Sequence, residues 1–258
     1  MIAAEPEGGR LLPVPCGAQG AARSAPSPAD GHASVLAALH DVGLADIASR
    51  HAAHAGLVCH AVAARGPFAW VQHASVRSRF GVPLLHGPAV ASQTLRVDAN
   101  SVRGTLWAME EAVKAGFNVI GEIEGASREL DFTATRRLEL FAREAGVTCL
   151  LIRLGSAAAA EGPSVARWRW RVSSLASALD PYDVRAPGAR RWCLELVRAR
   201  TRPPGRWIVE ASGNGRDPNA PHRLRVVSTL AAGDVGARSS QGAAGGGNVV
   251  PLRRRAVA

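Results

Sequence analysis

The sequence predicts an α/β fold in which a mainly parallel sheet is flanked by helices and carries antiparallel strands and a hairpin at its C-terminal edge. Between residues 55 and 154, short apolar runs alternate with amphipathic segments at about 30 residues per unit, the length of a β-α-β unit. These runs are apolar on both faces, as expected of strands covered by helices on both sides. After Ala166, large apolar residues alternate with arginines, which is typical of half-buried strands.

The first helix–strand unit is predicted before residue 100. An apolar segment over Ala55–Ala64 ends near Gly66 and leads into a strand over Phe68–Gln72. Leu95–Val97 is predicted as a further short strand. Strands joined in this way pair in parallel, and right-handed crossovers are expected between them.

The next unit contains the clearest helix. The spacing predicts a helix over Gly104–Ala115, with Asn100 or Ser101 as its N-cap and Gly116 at its C-terminal end. A strand whose two faces are both nearly apolar follows over Phe117–Ile123.

A second helix and strand repeat this pattern. The helix is predicted to begin at Asp131 or Thr133 and to be closed by Gly146, and the next buried strand is predicted over Val147–Leu154. The side chains predicted to form the core are Leu106, Val113, Ile120, Leu138, Phe141 and Leu151.

The last part of the chain is predicted to extend the sheet with antiparallel strands. Residues 167–172 alternate arginine with tryptophan or valine, and Trp192–Leu196 alternates in the same way. A turn at Pro203–Gly205 reverses the chain, so that Trp207–Val209 forms the other arm of a β-hairpin.

Composition limits the class of protein. The 258 residues carry a net charge of +10 and contain a single lysine, Lys114. No apolar run approaches the roughly 20 residues that span a bilayer, and the N-terminal residues lack the pattern of a secretory signal. We therefore expect a cytoplasmic protein without membrane contact. Residues 1–33 and 232–258 are predicted to be disordered tails around one domain over residues 34–231.

Taken in order, the predicted elements resemble the core of RecA-like proteins and, more narrowly, the ImuA family, over about Gly56 to Leu230. The resemblance rests on Trp-Ala-Met-Glu-Glu-Ala at 107–112, Thr-Ala-Thr-Arg-Arg-Leu at 133–138, Arg-Trp-Arg at 169–171, Arg-Trp at 191–192 and Pro-Gly-Arg-Trp at 204–207. It implies a RecA-like accessory protein of the translesion-synthesis mutasome. Its implied partners are an inactive, ImuB-like homologue of Y-family polymerases and an error-prone polymerase of the replicative type.

The residues predict that nucleotide hydrolysis is absent. A P-loop needs G-x-x-x-x-G-K-[ST] before a helix, because backbone amides and the lysine must converge on the phosphates. The corresponding segment, Ser49–Gly56, has one glycine and no lysine, and Lys114 lies inside a predicted helix. The family resemblance therefore implies only a degenerate Walker B-like strand at Ile120, Gly121 and Glu122, and no cofactor is expected.

Two other groups of titratable residues leave alternatives open. The resemblance places Glu122 near the position of a metal-orienting acid, but without a partner loop Glu122 and Glu124 are interpreted as solvated carboxylates at a strand end or as salt-bridge partners of the many arginines. His51 and His54 have the spacing to share a metal ion on one helical face, but separate surface histidines are favoured. No catalytic triad or metalloprotease motif is present in the sequence.

The candidate partner surface consists of arginines in the predicted antiparallel strands, namely Arg167, Arg169, Arg171, Arg191 and Arg206. They can contact nucleic acid or an acidic protein. In the alternative, Trp168 and Trp170 fill the core while the arginines simply face water. The segments that contact DNA in RecA-like proteins correspond to Glu124–Glu129, which is short, and Gly155–Val165, which has no basic residue. A protein partner is therefore favoured, and a single-stranded DNA binder, a regulator of RecA filaments and a weak ATPase remain the alternatives.

Overall fold

The fold was obtained as a computed structural model. It describes residues 35–50, 54–62, 67–83, 94–125, 127–155, 162–180, 182–183, 185–212 and 223–230. The two predicted tails lie outside the described residues.

Four named helices and nine strands make up the described part of the chain. In chain order they are β1 (Gly43–Ser49), α1 (His54–Val62), β2 (Phe68–His73), α2 (Ala74–Phe80), β3 (Thr94–Ala99), α3 (Val102–Lys114), β4 (Asn118–Glu124), α4 (Phe132–Ala145), β5 (Thr148–Leu154), β6 (Trp168–Leu175), β7 (Arg191–Ala199), β8 (Gly205–Ser212) and β9 (Arg223–Leu230).

The described strands form one sheet in the order β3-β2-β4-β5-β1-β6-β7-β8-β9. Neighbours from β3 to β6 pair in parallel, and those from β6 to β9 pair antiparallel. The predicted fold class, a mainly parallel sheet with an antiparallel C-terminal part and a hairpin, is confirmed.

Apolar side chains pack on both faces of this sheet. One face, the α1 face, is covered by helical residues 35–38, α1 and α2, and its core includes Phe68, Trp70 and Trp170. The opposite face, the α3/α4 face, packs Met109 of α3 and Leu138 of α4 against the parallel strands. The central strands are buried on both sides for this reason, which explains their nearly continuous apolar sequence.

Capping side chains define both long helices. The Ser101 side chain accepts a hydrogen bond from the amide of Gly104 at the start of α3, and Asp131 accepts one from Ala134 at the start of α4. Gly146 ends α4 with φ +69°, a left-handed conformation that glycine adopts without strain. The predicted helices therefore have the expected starts and ends.

Five of the six predicted core residues are buried, and Phe141 is half-buried on α4. The Lys114 ammonium lies 4.7 Å from the centre of the Phe141 ring. Phe141 therefore lies at the edge of the core, where its ring faces the ammonium group of Lys114, the only lysine in the sequence. None of the helices in the described ranges is long and apolar enough to cross a membrane.

Three elements and one strand direction were not predicted. Strand β1 was missed, as were the short helix α2 and the edge strand β9. The predicted strand at residues 167–172 is β6, which was expected to extend the sheet antiparallel but pairs in parallel with β1. The antiparallel part begins only with the next pair, β6 and β7.

Candidate functional site

Glu122, which the resemblance assigns to a Walker B-like strand, lies near the carboxyl end of β4, where its side chain is buried. Its two carboxylate oxygens have different partners: His54 Nε2 lies 2.7 Å from Oε1, and Gln72 Nε2 donates to Oε2 at 2.9 Å. The side chains of His54 and Glu122 are 0% and 3% exposed. The interpretation of Glu122 as a solvated carboxylate or a salt-bridge partner of arginine is therefore wrong.

His54 is the first residue of α1, the helix that follows β1. The resemblance to RecA-like proteins implies that a phosphate-binding loop would stand before this helix; here His54 contacts Glu122 of β4. The prediction that His54 is a surface histidine is wrong, and His51 lies outside the described residues. Within the described ranges, no group of three or more His, Cys, Asp or Glu side chains is placed to hold a metal ion.

Glu124 differs from its neighbour in the strand, because its side chain is half-exposed and forms an ion pair with Arg79. The hydrogen bond from Arg79 lowers the pKa of the Glu124 carboxyl. The prediction that this carboxylate pairs with an arginine is confirmed.

Gly121 has a packing role in β4. A Cβ atom at this position would collide with the side chain of Met109 on α3. The glycine thus allows α3 to lie close to the sheet. It faces the helix and not the carboxyl edge where a nucleotide would bind.

A cavity of about 230 Å³ opens beside Glu122 and Gln72. Most of its wall is apolar, including Val76, Phe80 and Leu154. The buried Oε1 of Gln72 has no hydrogen-bond partner in the described structure. The described wall has no lysine or arginine that would hold a triphosphate.

We expect ATP turnover by the purified chain to be no higher than the background without protein, because Glu122 is held by His54 and Gln72 and no P-loop lysine exists. The Glu122→Gln variant should show the same background rate in a phosphate-release assay. Turnover in the parent protein that is lost in Glu122→Gln would contradict this expectation.

The C-terminal strands carry a second candidate site, on the α3/α4 face of the sheet. Three aligned side chains cross β6, β7 and β8: Arg171 donates to Glu195 at 2.9 Å, and Arg206 donates to the other carboxylate oxygen of Glu195 at 3.1 Å. We call these residues the first arginine row.

A second arginine row crosses β7, β8 and β9. Arg191 Nε donates to one oxygen of Glu210 at 2.7 Å, and Arg225 Nη2 donates to the other at 2.5 Å. Burial raises the pKa of the Glu210 carboxyl, but hydrogen bonds from Arg225 and Arg191 outweigh this and leave the pKa below its ordinary value. Each row thus holds two guanidinium groups on one carboxylate and keeps a net charge of +1.

Two of the five predicted surface arginines have other partners. Arg169 is largely buried, donates to the carbonyl of Gly162 at 2.6 Å and lies 3.8 Å from Asp46. Arg167 pairs with Asp41 at 3.4 Å, and the same carboxylate accepts a hydrogen bond from the Trp168 indole.

The prediction that tryptophans fill the core while arginines face water is therefore only partly right. Trp170 is buried and Trp168 is half-buried. Among the arginines, Arg171, Arg191 and Arg206 lie on one partly exposed face. The acids that organise this face, Glu195 and Glu210, were not among the predicted site residues. The alternation of charged and apolar residues along β7 and β8 indicates that Glu195 and Glu210 lie on the charged face of these strands. Which arginines they pair with depends on the register between strands, which the alternation does not contain.

Comparison with known proteins finds relatives among curated proteins. No protein-family model matches the chain. Curated proteins named Protein ImuA, from two strains of Caulobacter vibrioides, are 30% identical to it over 154 residues. The match covers 57% of this chain and 61% of each relative, so the chain spans about three fifths of the length of the curated relatives it matches. The sequence segments described above predict a similarity to ImuA proteins, and this prediction is confirmed.

Proposed function

We propose that the chain is a non-catalytic adaptor in damage-induced, error-prone translesion DNA synthesis. In this role it binds an inactive, ImuB-like homologue of Y-family polymerases and an error-prone polymerase of the replicative type. The similarity to curated ImuA proteins supports the process. The observation that carries partner binding is the pair of arginine rows on the α3/α4 face.

The position of these rows favours a partner surface. Among the described residues, the last helix on that side is α4, which packs on β1 and β5, while the rows lie on β6 to β9. The side chains of Arg171, Arg191 and Arg225 are 40%, 38% and 64% exposed. Their guanidinium groups are held in place by Glu195 and Glu210 but keep free donors, so an acidic partner can bind them with little loss of side-chain entropy.

The same part of the sheet also offers an edge. Strand β9 pairs with β8 on one side, and no strand among the described residues pairs with its other side. A free edge can accept an extended segment of another protein through backbone hydrogen bonds. An acidic segment from the polymerase homologue, bound along β9 and contacting Arg225, fits both the edge and the charge.

The test is co-purification of the full chain with the ImuB-like homologue. We expect the Arg171→Ala/Arg206→Ala variant to lose most of the homologue, because it removes both cations of the first arginine row. The folded state should survive, since Glu195 is partly exposed and can be hydrated.

The chain contains a closely matched control for this variant. Arg77 and Arg96 also share one carboxylate, that of Asp98, but they lie at the opposite end of the sheet. The Arg77→Ala/Arg96→Ala variant loses the same charge and should retain the homologue. Equal retention by the two variants, with both folded by circular dichroism, would show that the first arginine row is not the partner surface.

A further inference from the structure

A groove that no sequence argument identified lies between the start of α4 and the end of β7. Its volume is about 240 Å³. It is lined by Phe132, the first residue of α4, by Ser164 and by three arginines, Arg167, Arg198 and Arg200. Only Arg167 belongs to the arginines predicted as a partner surface.

The charge in this groove is not balanced. Arg167 pairs with Asp41, whereas Arg198 and Arg200 are exposed and form no ion pair with another described residue. Arg198 lies next to Arg169, directly across the β6–β7 pair. The groove therefore presents two cations whose charge no described acid neutralises.

A further arginine, Arg169, lies beside Arg198. Burial lowers the pKa of the Arg169 guanidinium, Asp46 opposes that effect, and the charges of Arg153 and Arg198 lower the pKa further. Asp46 is engaged by Arg153 through two hydrogen bonds of 2.9 and 3.0 Å. Its charge is thus shared and does not compensate Arg198 and Arg200.

An aromatic ring borders these cations. The Phe132 side chain is 60% exposed, although it is a large apolar group. The adjacent Asp131 turns its carboxylate toward the amide of Ala134 at the start of α4. The ring of Phe132 is therefore available to a flat ligand, next to the guanidinium groups of Arg198 and Arg200, which no described acid pairs with.

We infer that this groove binds single-stranded nucleic acid, with backbone phosphates on Arg198 and Arg200 and one base stacked on Phe132. Proteins commonly bind single-stranded nucleic acid with exposed aromatic rings beside arginines. The rings stack on the bases, and the arginines contact the backbone phosphates. A duplex is less suited, since its stacked bases cannot reach the ring. An acidic peptide would use the arginines but would have no need of Phe132. This inference goes beyond the proposed adaptor function and does not depend on it.

The experiment measures binding of the full chain to a fluorescein-labelled oligothymidine by anisotropy, at salt concentrations from about 50 to 200 mM. The Arg198→Ala/Arg200→Ala variant should bind more weakly, and the slope of log affinity against log salt should fall by about 1.4, or about 0.7 for each lost phosphate contact on a single strand. The Phe132→Ala variant should lose at least about fivefold in affinity with little change in that slope.

Two variants serve as matched controls. Arg103→Ala/Arg143→Ala removes the same charge from exposed positions on α3 and at the far end of α4, and Leu140→Ala removes an exposed apolar side chain from α4. Both should bind the oligonucleotide like the parent protein. Circular dichroism on all four variants checks that they are folded.

Several results would overturn the inference. One is no binding by the parent protein at about 150 mM salt. Another is an equal loss in the groove variant and in Arg103→Ala/Arg143→Ala, which would indicate only the overall charge. Displacement by free thymidine monophosphate at the same nucleotide concentration would indicate a mononucleotide site. Binding of a poly-glutamate peptide that depends on Arg198 and Arg200, together with oligothymidine binding that is insensitive to Phe132→Ala, would indicate a protein-binding surface.

None of these outcomes bears on co-purification with the polymerase homologue, which tests Arg171 and Arg206.

Discussion

Replacing Asp46 with alanine is expected to lower the free energy of unfolding by about 3–5 kcal/mol, because it leaves a buried cation without its counter-charge. Arg153 Nε donates to both oxygens of Asp46, and both side chains are 2% exposed. The remaining partner of Arg153, the carbonyl of Pro163 at 2.7 Å, is neutral and cannot replace the carboxylate. Urea denaturation of Asp46→Ala and of the parent protein measures the difference.

Two further variants separate charge from packing. Asp98→Ala removes an acid that also pairs with arginines, but these pairs are exposed, so a loss of less than about 1 kcal/mol is expected. In the Asp46→Leu/Arg153→Met variant both buried charges are absent, and stability should be higher than in Asp46→Ala. If Asp46→Ala were no less stable than Asp98→Ala, the buried pair would not have the role assigned to it.

Replacing Trp170 with alanine is expected to cost about 3–5 kcal/mol of stability, because it removes a large aromatic side chain from the core. Trp170 is 1% exposed, and its ring centre lies 6.1 Å from that of Trp168 and 6.3 Å from that of Trp207. The three rings join β6 to β8 on the α1 face, so the truncation affects the packing of several strands.

Trp107 is the matched control, since it is the same residue type on α3 but is 63% exposed. Trp107→Ala should change stability by no more than about 0.5 kcal/mol. Chemical denaturation followed by circular dichroism suits both variants, because fluorescence would change with the number of tryptophans. Similar unfolding midpoints for the two variants would contradict the burial of Trp170.

The elements that local sequence signals could predict are those with strong caps and one clear period. Helices α3 and α4 have Ser101 and Asp131 as N-caps and a regular apolar stripe, and the hairpin of β7 and β8 has a turn at Pro203–Gly205. These signals involve residues within a few positions of one another, so a single sequence contains them.

The missed elements lack such signals. Strand β1 reads Gly-Leu-Ala-Asp-Ile-Ala-Ser, in which Asp46 interrupts the apolar run. Only pairing with Arg153 of β5 makes that aspartate compatible with a buried strand. Helix α2 has seven residues and buries one of them, Val76, so its apolar period is too short to detect.

The sequence by itself determined the α/β class, the two long helices, the lack of a P-loop lysine and the resemblance to ImuA proteins. Only the tertiary structure decided which charges meet. His54 and Glu122 are 68 positions apart, and Asp46 and Arg153 are 107 apart. The physical reason is that hydrophobic period and capping act within one or two helical turns, whereas a pair across the sheet depends on strand order and register. The same applies to the groove at Phe132, which sheet pairing and helix packing place beside Arg198.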